Sequence, residues 1–520
     1  MFVDGDQSFP VEVWQLCWES VPAQASLAAL SQTCRLFHDI CQPLIFHRVA
    51  YSLQPNLGSQ EAYQAWKAKT IYFEDRVKWL AAHPRLSKFP RECSFYGTLM
   101  LSLTIIDSEH PTTSEVYLSI LSTLKKFIPS FIGLRSVLFT HTDIDEDILG
   151  ALASLPFLTK TEFYEASFTC VKITPLLTPK DLTINYWQVQ TVTPSLEVFS
   201  NELLESLRLC SFQPGPLSFE RFIKQGPSNF LTSLHVSIHV QTLPTLFTFL
   251  EMCPRLESLT MEPPYDSLLS YPPLPLSALR RLQYFSGPAA AASIIIPLRP
   301  VTRVIIDDRD WNCSIKEEKV LLALSMLLKS TATIQSLYLP NLTPHPDVFH
   351  VIHKLFPALH TLVLSFKPTQ ADVIGEFHTP DEVQEYFSMG TYGEVVPIEV
   401  DEQGNFKRSP ESIKGLLDCL RTNKISLPLS IEHLTILFDR DRRDYQPFMT
   451  FLSVREQLSI VIDLSKRYPK LKQLSLDSGH LKWTKEEPAS LWKPTKHYKL
   501  YLDGKIWNHS TELHISLQPA

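Results

Sequence analysis

The chain has 520 residues, of which 44% are hydrophobic and 20% charged, with a formal net charge of -7 at pH 7. That composition is ordinary for a folded chain with a sizeable core, and mixed acidic and basic residues exclude a general nucleic-acid binder, which would carry a basic face. Nine cysteines with no CxxC spacing fit a reducing compartment, so the expected location is cytoplasmic and/or nuclear.

The opening MFVDGDQSFP has no basic region followed by an apolar run, so no secretory signal is expected. The apolar run Pro288–Leu298 is too short to span a bilayer, and no membrane association is expected. Cys17, Cys34, Cys210 and Cys253 lie in apolar stretches, where a free thiol acts as a small hydrophobe.

The stretch Phe9–Val49 predicts three short amphipathic helices. Phe9-Pro10 sets a stop, and Val13, Leu16 and Cys17 then share one face. A turn at Pro22 precedes a helix through Leu27 and Leu30 to Cys34, and a third carries Phe37, Ile40, Leu44, Ile45 and Phe46. About 40 residues lie near the lower limit for independent folding. Surplus apolar surface on so small a unit points to an interface.

Phe9-Pro10-Val11-Glu12-Val13, the spaced Leu16, the Leu27/Leu30 pair, Thr33-Cys34-Arg35-Leu36-Phe37 and Pro43-Leu44-Ile45-Phe46 together resemble the F-box. The usual opening leucine is Phe9 here, and the aromatic after the cysteine–basic pair is Phe37 rather than tryptophan; both changes keep bulk and apolarity. The resemblance implies a module at 1–50 that binds a Skp-type adaptor of a cullin ligase scaffold through Phe9, Pro10, Leu16, Leu27, Leu30, Cys34 and Phe37. The alternative is a plain three-helix cap on a repeat domain.

Residues 51–110 predict a helical linker, with one long helix from Ser59 to His83 closed by Pro84 and read as a rigid spacer. A helix at Thr113–Phe127 comes next. From 111 to 477 an LxxLxL-like pattern recurs, anchored at Leu134, Leu158, Pro179, Leu204, Leu231, Leu256, Leu279, Val301, Ile334, Leu359, Ile431 and Leu471. The first nine spacings run from 21 to 33 residues, in or near the leucine-rich-repeat range of about 20–29. Positions four and six of each copy point to the core of a short strand. Helical stretches fall between the strands at Asp143–Leu155, Phe219–Lys224, Leu246–Cys253, Ile315–Lys329 and Asp347–Phe356. The expected fold is α/β: a three-helix F-box followed by a leucine-rich-repeat-like βα solenoid, a horseshoe with a curved parallel sheet. An insertion at about 366–430 and a C-terminal cap at 478–520 complete it. The insertion predicts a helix near Pro380–Phe387, a hairpin in EVVPIEVDEQGNFKR and a helix near Pro410–Arg421. The cap predicts strands HYKLYLDG and ELHISL.

Positions three, five and seven of each copy face the open groove and include Tyr164, Asn185, Arg208, His235, Arg281, Phe285, Arg303 and Tyr338. Tyr164, Arg208, His235, Arg281, Phe285, Arg303 and Tyr338 are the candidate substrate-binding residues, and the mixed polarity of the face suits a protein or peptide. No GxSxG, HExxH, GxxxxGK[ST] or GxGxxG pattern occurs, so no catalytic site, cofactor or metal is expected. His235 and His239 read as a surface pair, and His350 and His353 as packing histidines. The resemblance implies a non-catalytic, substrate-recognition subunit of a Skp–cullin–F-box ubiquitin ligase, acting by proximity on an unknown protein substrate. The competing expectation is a repeat scaffold or regulatory binder unconnected to ubiquitin.

Overall fold

The computed structural model describes residues 11–19, 21, 24–51, 60–97, 112–169, 176–186, 196–211, 219–262, 270–307, 317–342, 346–366, 413–422, 424, 426–438, 454–477, 481–487, 490–502 and 505–512. It divides into two compact units, Met1–Pro254 and Arg255–Ala520. Phe9, Pro10, the expected helix near Pro380–Phe387 and the expected hairpin lie outside the described residues. Among those described, no helix is long and apolar enough to cross a membrane.

The first unit opens with helices α1 (Val11–Glu19), α2 (Gln24–Ser31) and α3 (Arg35–Ile45). Parallel strands then run in the order β1 (Arg48–Tyr51), β2 (Glu92–Tyr96), β3 (Ser136–Thr140), β5 (Lys160–Tyr164), β7 (Asp181–Tyr186), β8 (Ser206–Ser211) and β9 (Ser233–Ser237). Helices α4 (Gln60–Ala82), α5 (Thr112–Phe127), α6 (Glu146–Ala153), α7 (Glu220–Gln225) and α8 (Leu243–Glu251) alternate with them. Short strands β4 (Asp143–Ile144) and β6 (Ser167–Phe168) form a separate parallel pair.

The alternation seen in the sequence sets this arrangement. The second residue of each strand is buried: Val49, Cys93, Val137, Thr161, Leu182, Leu207 and Leu234. So is the fourth, where Tyr51, Phe95, Phe139 and Phe163 make an aromatic column with centroids 5.3, 6.3 and 6.1 Å apart. Each such ring, fully removed from water, stabilises the unit by about 1.5–3 kcal/mol. Asp145 caps α6, its Oδ1 accepting from the Ile148 backbone N–H at 3.0 Å. Beside α7, Asn201 is buried, and its Nδ2 donates to Phe222 O, Gly226 O and Ser228 Oγ at 3.3, 3.1 and 3.0 Å.

The expected linker is corrected here. Strand β1 begins at Arg48, and β1–α4–β2 is a parallel β-α-β unit in which Tyr63, Trp66, Thr70, Val77 and Leu80 are buried. The long helix is therefore the crossover of the first repeat rather than a spacer. Its apolar residues at helical spacing carried that signal; the strand RVAY before it, lacking leucines, did not.

The second unit carries parallel strands β10 (Ser258–Glu262), β11 (Tyr284–Gly287), β12 (Arg303–Ile306), β13 (Ser336–Leu342), β14 (Thr361–Phe366), β15 (His433–Phe438) and β16 (Gln473–Asp477). Helices α9 (Ala289–Ile295), α10 (Glu317–Leu327), α11 (Pro346–Leu355), α12 (Ile413–Arg421) and α13 (Val454–Arg467) alternate with them. After β16 the ladder turns antiparallel through β17 (Leu481–Thr484), β18 (Lys493–Leu502) and β19 (Lys505–Glu512). Of the expected HYKLYLDG strand, His497–Leu502 falls within β18 and the last two residues lie outside the described ones, as does ELHISL apart from Glu512. Trp483 on β17 is buried and donates from Nε1 to Gln457 Oε1 at 3.4 Å.

One repeat register is corrected. Ser258 pairs with Tyr284, which makes Leu282 the partner position of Leu256, not Leu279. Both leucines are buried, and Leu279 stands in a turn at φ +58°. A LxxL pair three residues apart offers two anchors, and spacing alone chose the wrong one.

Arg299 is 1% exposed, and among the described residues no carboxylate is bonded to it. Its guanidinium donates instead to the carbonyls of Pro275, Ala278, Ile294, Ile295 and Pro297 at 2.9, 2.9, 3.3, 2.6 and 3.2 Å. It thereby closes the end of α9, whose last carbonyls have no helical partner.

Candidate interaction surfaces

The three N-terminal helices bury one set of apolar side chains and expose another. Trp18, Leu27, Ile40 and Cys41 form the core, with Trp14, Leu30, Phe37 and Leu44 packed against it. Trp18 meets Phe37 edge-on at 4.4 Å, and Trp14 lies 5.6 Å from Trp18 and 5.4 Å from Phe37. Four-residue spacing puts Trp14 and Trp18 on the inner face of α1. Val11, Val13, Leu16 and Cys17 consequently point outward, as does Leu36 on α3, and Leu16 is 68% exposed.

This geometry sorts the expected adaptor residues. Leu16 and Cys34 are exposed; Leu30 and Phe37 are half-buried; Leu27 is 5% exposed and belongs to the core. Leu27 therefore holds the module together rather than offering surface. Cys34 caps α3, its Sγ accepting from the Phe37 N–H at 3.4 Å. Of the four cysteines in apolar stretches, Cys17 and Cys34 are exposed, while Cys210 and Cys253 are buried. Burial raises the Cys253 thiol's pKa and pushes that of Cys93 to about 12, which leaves both unreactive.

A groove of about 560 Å³ runs between α2–α3 and α4, lined by Ala25, Ala28, Ile45, Phe46, Tyr72 and Trp79 among others. Phe46 packs 5.9 Å from Trp79 and Asp39 pairs with Arg85 at 3.6 Å, so the module rests on the first repeat.

In each unit the strand residues between the core-facing ones form a second face of mixed burial, half-exposed at Glu162, Tyr164, Asn185 and His235 and buried at Thr183 and Cys210. In the first unit Glu162, Thr183, Arg208 and His235 are successive cross-strand partners, and so are Tyr164, Asn185 and Cys210 one row on. Lys160 pairs with Glu162 at 3.2 Å, and Arg208 Nε approaches Cys210 Sγ at 3.5 Å. Burial raises the Tyr164 hydroxyl's pKa, the Glu162 charge adds to this, and Arg208 opposes it. Tyr164, Arg208 and His235 thus share one surface, as expected from their positions. Asn185 and Cys210 complete it; Cys210 was missed as a polar contributor because it reads as one more apolar residue in a strand.

In the second unit Arg303 stacks over the Tyr284 ring at 5.4 Å, and Ile305 partners Tyr338 across β12 and β13. The register correction moves two candidates. Phe285 is 0% exposed and faces the core, and Arg281 precedes β11. Tyr284 occupies the position assigned to Arg281. His350 and His353, expected to be packed, are both exposed on α11. No protein-family model matches the chain, and no curated protein matches it.

Proposed function

We propose that this chain is a substrate-recognition subunit of a Skp–cullin–F-box type ubiquitin ligase, with a leucine-rich-repeat-like βα solenoid as its target platform. The observation that carries this reading is the exposure of Leu16, with Val11, Val13 and Leu36, on a helical unit whose core is already filled by Trp14, Trp18, Leu27 and Phe37. Apolar side chains turned outward from a satisfied core stabilise nothing in the monomer, and their removal from water by an adaptor would favour association. The repeat units supply strand faces of mixed burial and polarity, suited to holding a protein while the chemistry happens on a partner enzyme. The chain would contribute position and no reacting group.

The test is co-purification of the full chain with a Skp-type adaptor, with and without Leu16→Asp. Retention by the intact chain and loss in the variant is the expected result. Equal retention would sink the assigned face.

A second reading, a repeat scaffold capped by the N-terminal helices, draws on the packing of Phe46 against Trp79 and the Asp39–Arg85 pair. It predicts no adaptor and aggregation when residues 1–47 are removed. The ligase reading predicts a soluble remainder that has lost its partner.

A further inference from the structure

Asn185, Cys210 and His235 stand on the adjacent strands β7, β8 and β9, on the face that the first unit's helices leave uncovered. Asn185 and Cys210 are direct register partners; Arg208, two residues before Cys210, partners His235. Cys210 is 3% exposed, and its Sγ lies within 4.8 Å of a His235 ring nitrogen. The Asn185 Oδ1 is buried and accepts no hydrogen bond among the described residues. A buried acceptor left without a donor, at the register position next to a thiol that itself lies near an imidazole, offers oxygen, sulfur and nitrogen donors of the kind a cation site uses.

We propose that Cys210, His235 and Asn185 bind a borderline-soft divalent cation of the zinc class through sulfur, ring nitrogen and amide oxygen. Hard cations such as Mg²⁺ and Ca²⁺ favour oxygen alone, so the thiol and imidazole select against them. Zinc bonds of about 2.3 Å to sulfur and about 2.0 Å to nitrogen place the two ligand atoms closer together than the 4.8 Å bound. Side-chain rotation closes that interval. On binding, the Cys210 S–H bond breaks, the sulfur keeps the electron pair and donates it to the cation, and the proton leaves to solvent. Arg208, whose Nε lies 3.5 Å from the sulfur, is exposed enough to turn aside. The ligands come from successive repeats, so no short spacing motif announces them.

The site lies on a surface other than the N-terminal helices, so it stands or falls apart from adaptor binding. Two measurements on the full chain test it. With Zn²⁺ present, residue-resolved alkylation read by mass spectrometry should slow at Cys210 and stay unchanged at Cys17 and Cys34. With Co²⁺ as a spectroscopic probe, a thiolate-to-metal charge-transfer band should appear, vanish in Cys210→Ser and weaken in His235→Gln. Far-UV circular dichroism confirms that both variants fold. An unprotected Cys210, or a Co²⁺ band that survives Cys210→Ser, overturns the proposal. The Co²⁺ arm decides the matter if Cys210 proves too buried to alkylate.

Discussion

His141 and Glu165 occupy equivalent places one repeat apart, immediately after β3 and β5, and their side chains meet, Nδ1 to Oε2, at 2.9 Å. Both backbones are left-handed, at φ +52° and +51°, a region that non-glycine residues seldom adopt. The conformation turns the chain out of each strand toward β4 and β6. Gly97 follows β2 at the matching place, and a Cβ there would lie 2.1 Å from His141 O. Only glycine fits that close approach.

This pair gives a pH prediction. Burial holds the Glu165 carboxyl above its ordinary pKa, with the neighbouring His141 partly opposing the shift. A group whose folded pKa is raised contributes stability that is full below its unfolded value, about 4.3, and is lost as pH rises through the folded value. The stability advantage of the wild type over Glu165→Gln should therefore shrink as pH rises from about 4 toward neutrality. Urea unfolding midpoints at several pH values check it; an advantage that grows over that range contradicts the sign.

Leu298 adopts φ +63° although it is exposed. Glycine carries no steric penalty there, and little packing is lost with the side chain, so Leu298→Gly should stabilise the chain by about 0.5–1 kcal/mol. A raised urea midpoint with unchanged slope is the expected reading.

Arg299→Met withdraws the guanidinium from five interior carbonyls, of which Pro275 O keeps the Ala278 N–H as a donor. The expected loss is about 3–5 kcal/mol, the range for removing one partner from a buried charged network. Arg299→Lys should cost less than Met and still be destabilising, because an ammonium has three donors and a different shape. Equal stability of wild type and Met variant would rule out this role.

The register of β11 predicts opposite outcomes for neighbouring residues. Phe285→Ala opens a cavity in the core and should cost about 3–5 kcal/mol, whereas Tyr284→Ala removes a half-exposed ring stacked under Arg303 and should cost under half as much. Unfolding of the two variants in urea distinguishes this register from one anchored on Leu279.

The parallel strands were legible wherever leucine marked the inward positions, as in Leu204–Leu209 and Leu471–Leu476, because burial on one face requires apolar residues at alternate places. Legibility failed where the same positions held other residues. Val49 and Tyr51, Cys93 and Phe95 are buried like the leucines, yet they gave no LxxLxL signal, and the first repeats passed for a linker. At Leu279 and Leu282 two leucines competed for one role. The N-terminal helices were visible from periodicity, but periodicity alone assigns no face to the core. Trp14 and Trp18 take the interior, and only their packing with Phe37 shows that Leu16 faces out. Cys210 and His235 come together through strand pairing across a full repeat, which no local spacing encodes.

The central claim is that the outward face of α1 is an adaptor-binding surface. Its most direct measurement is the affinity of a purified Skp-type adaptor for the full chain and for Leu16→Asp, by calorimetry, with circular dichroism confirming that the variant keeps its helices. The account predicts saturable binding by the intact chain and a loss of at least about tenfold in the variant, the effect of about 1.4 kcal/mol. No binding by the intact chain, or equal affinity in a folded variant, would contradict it.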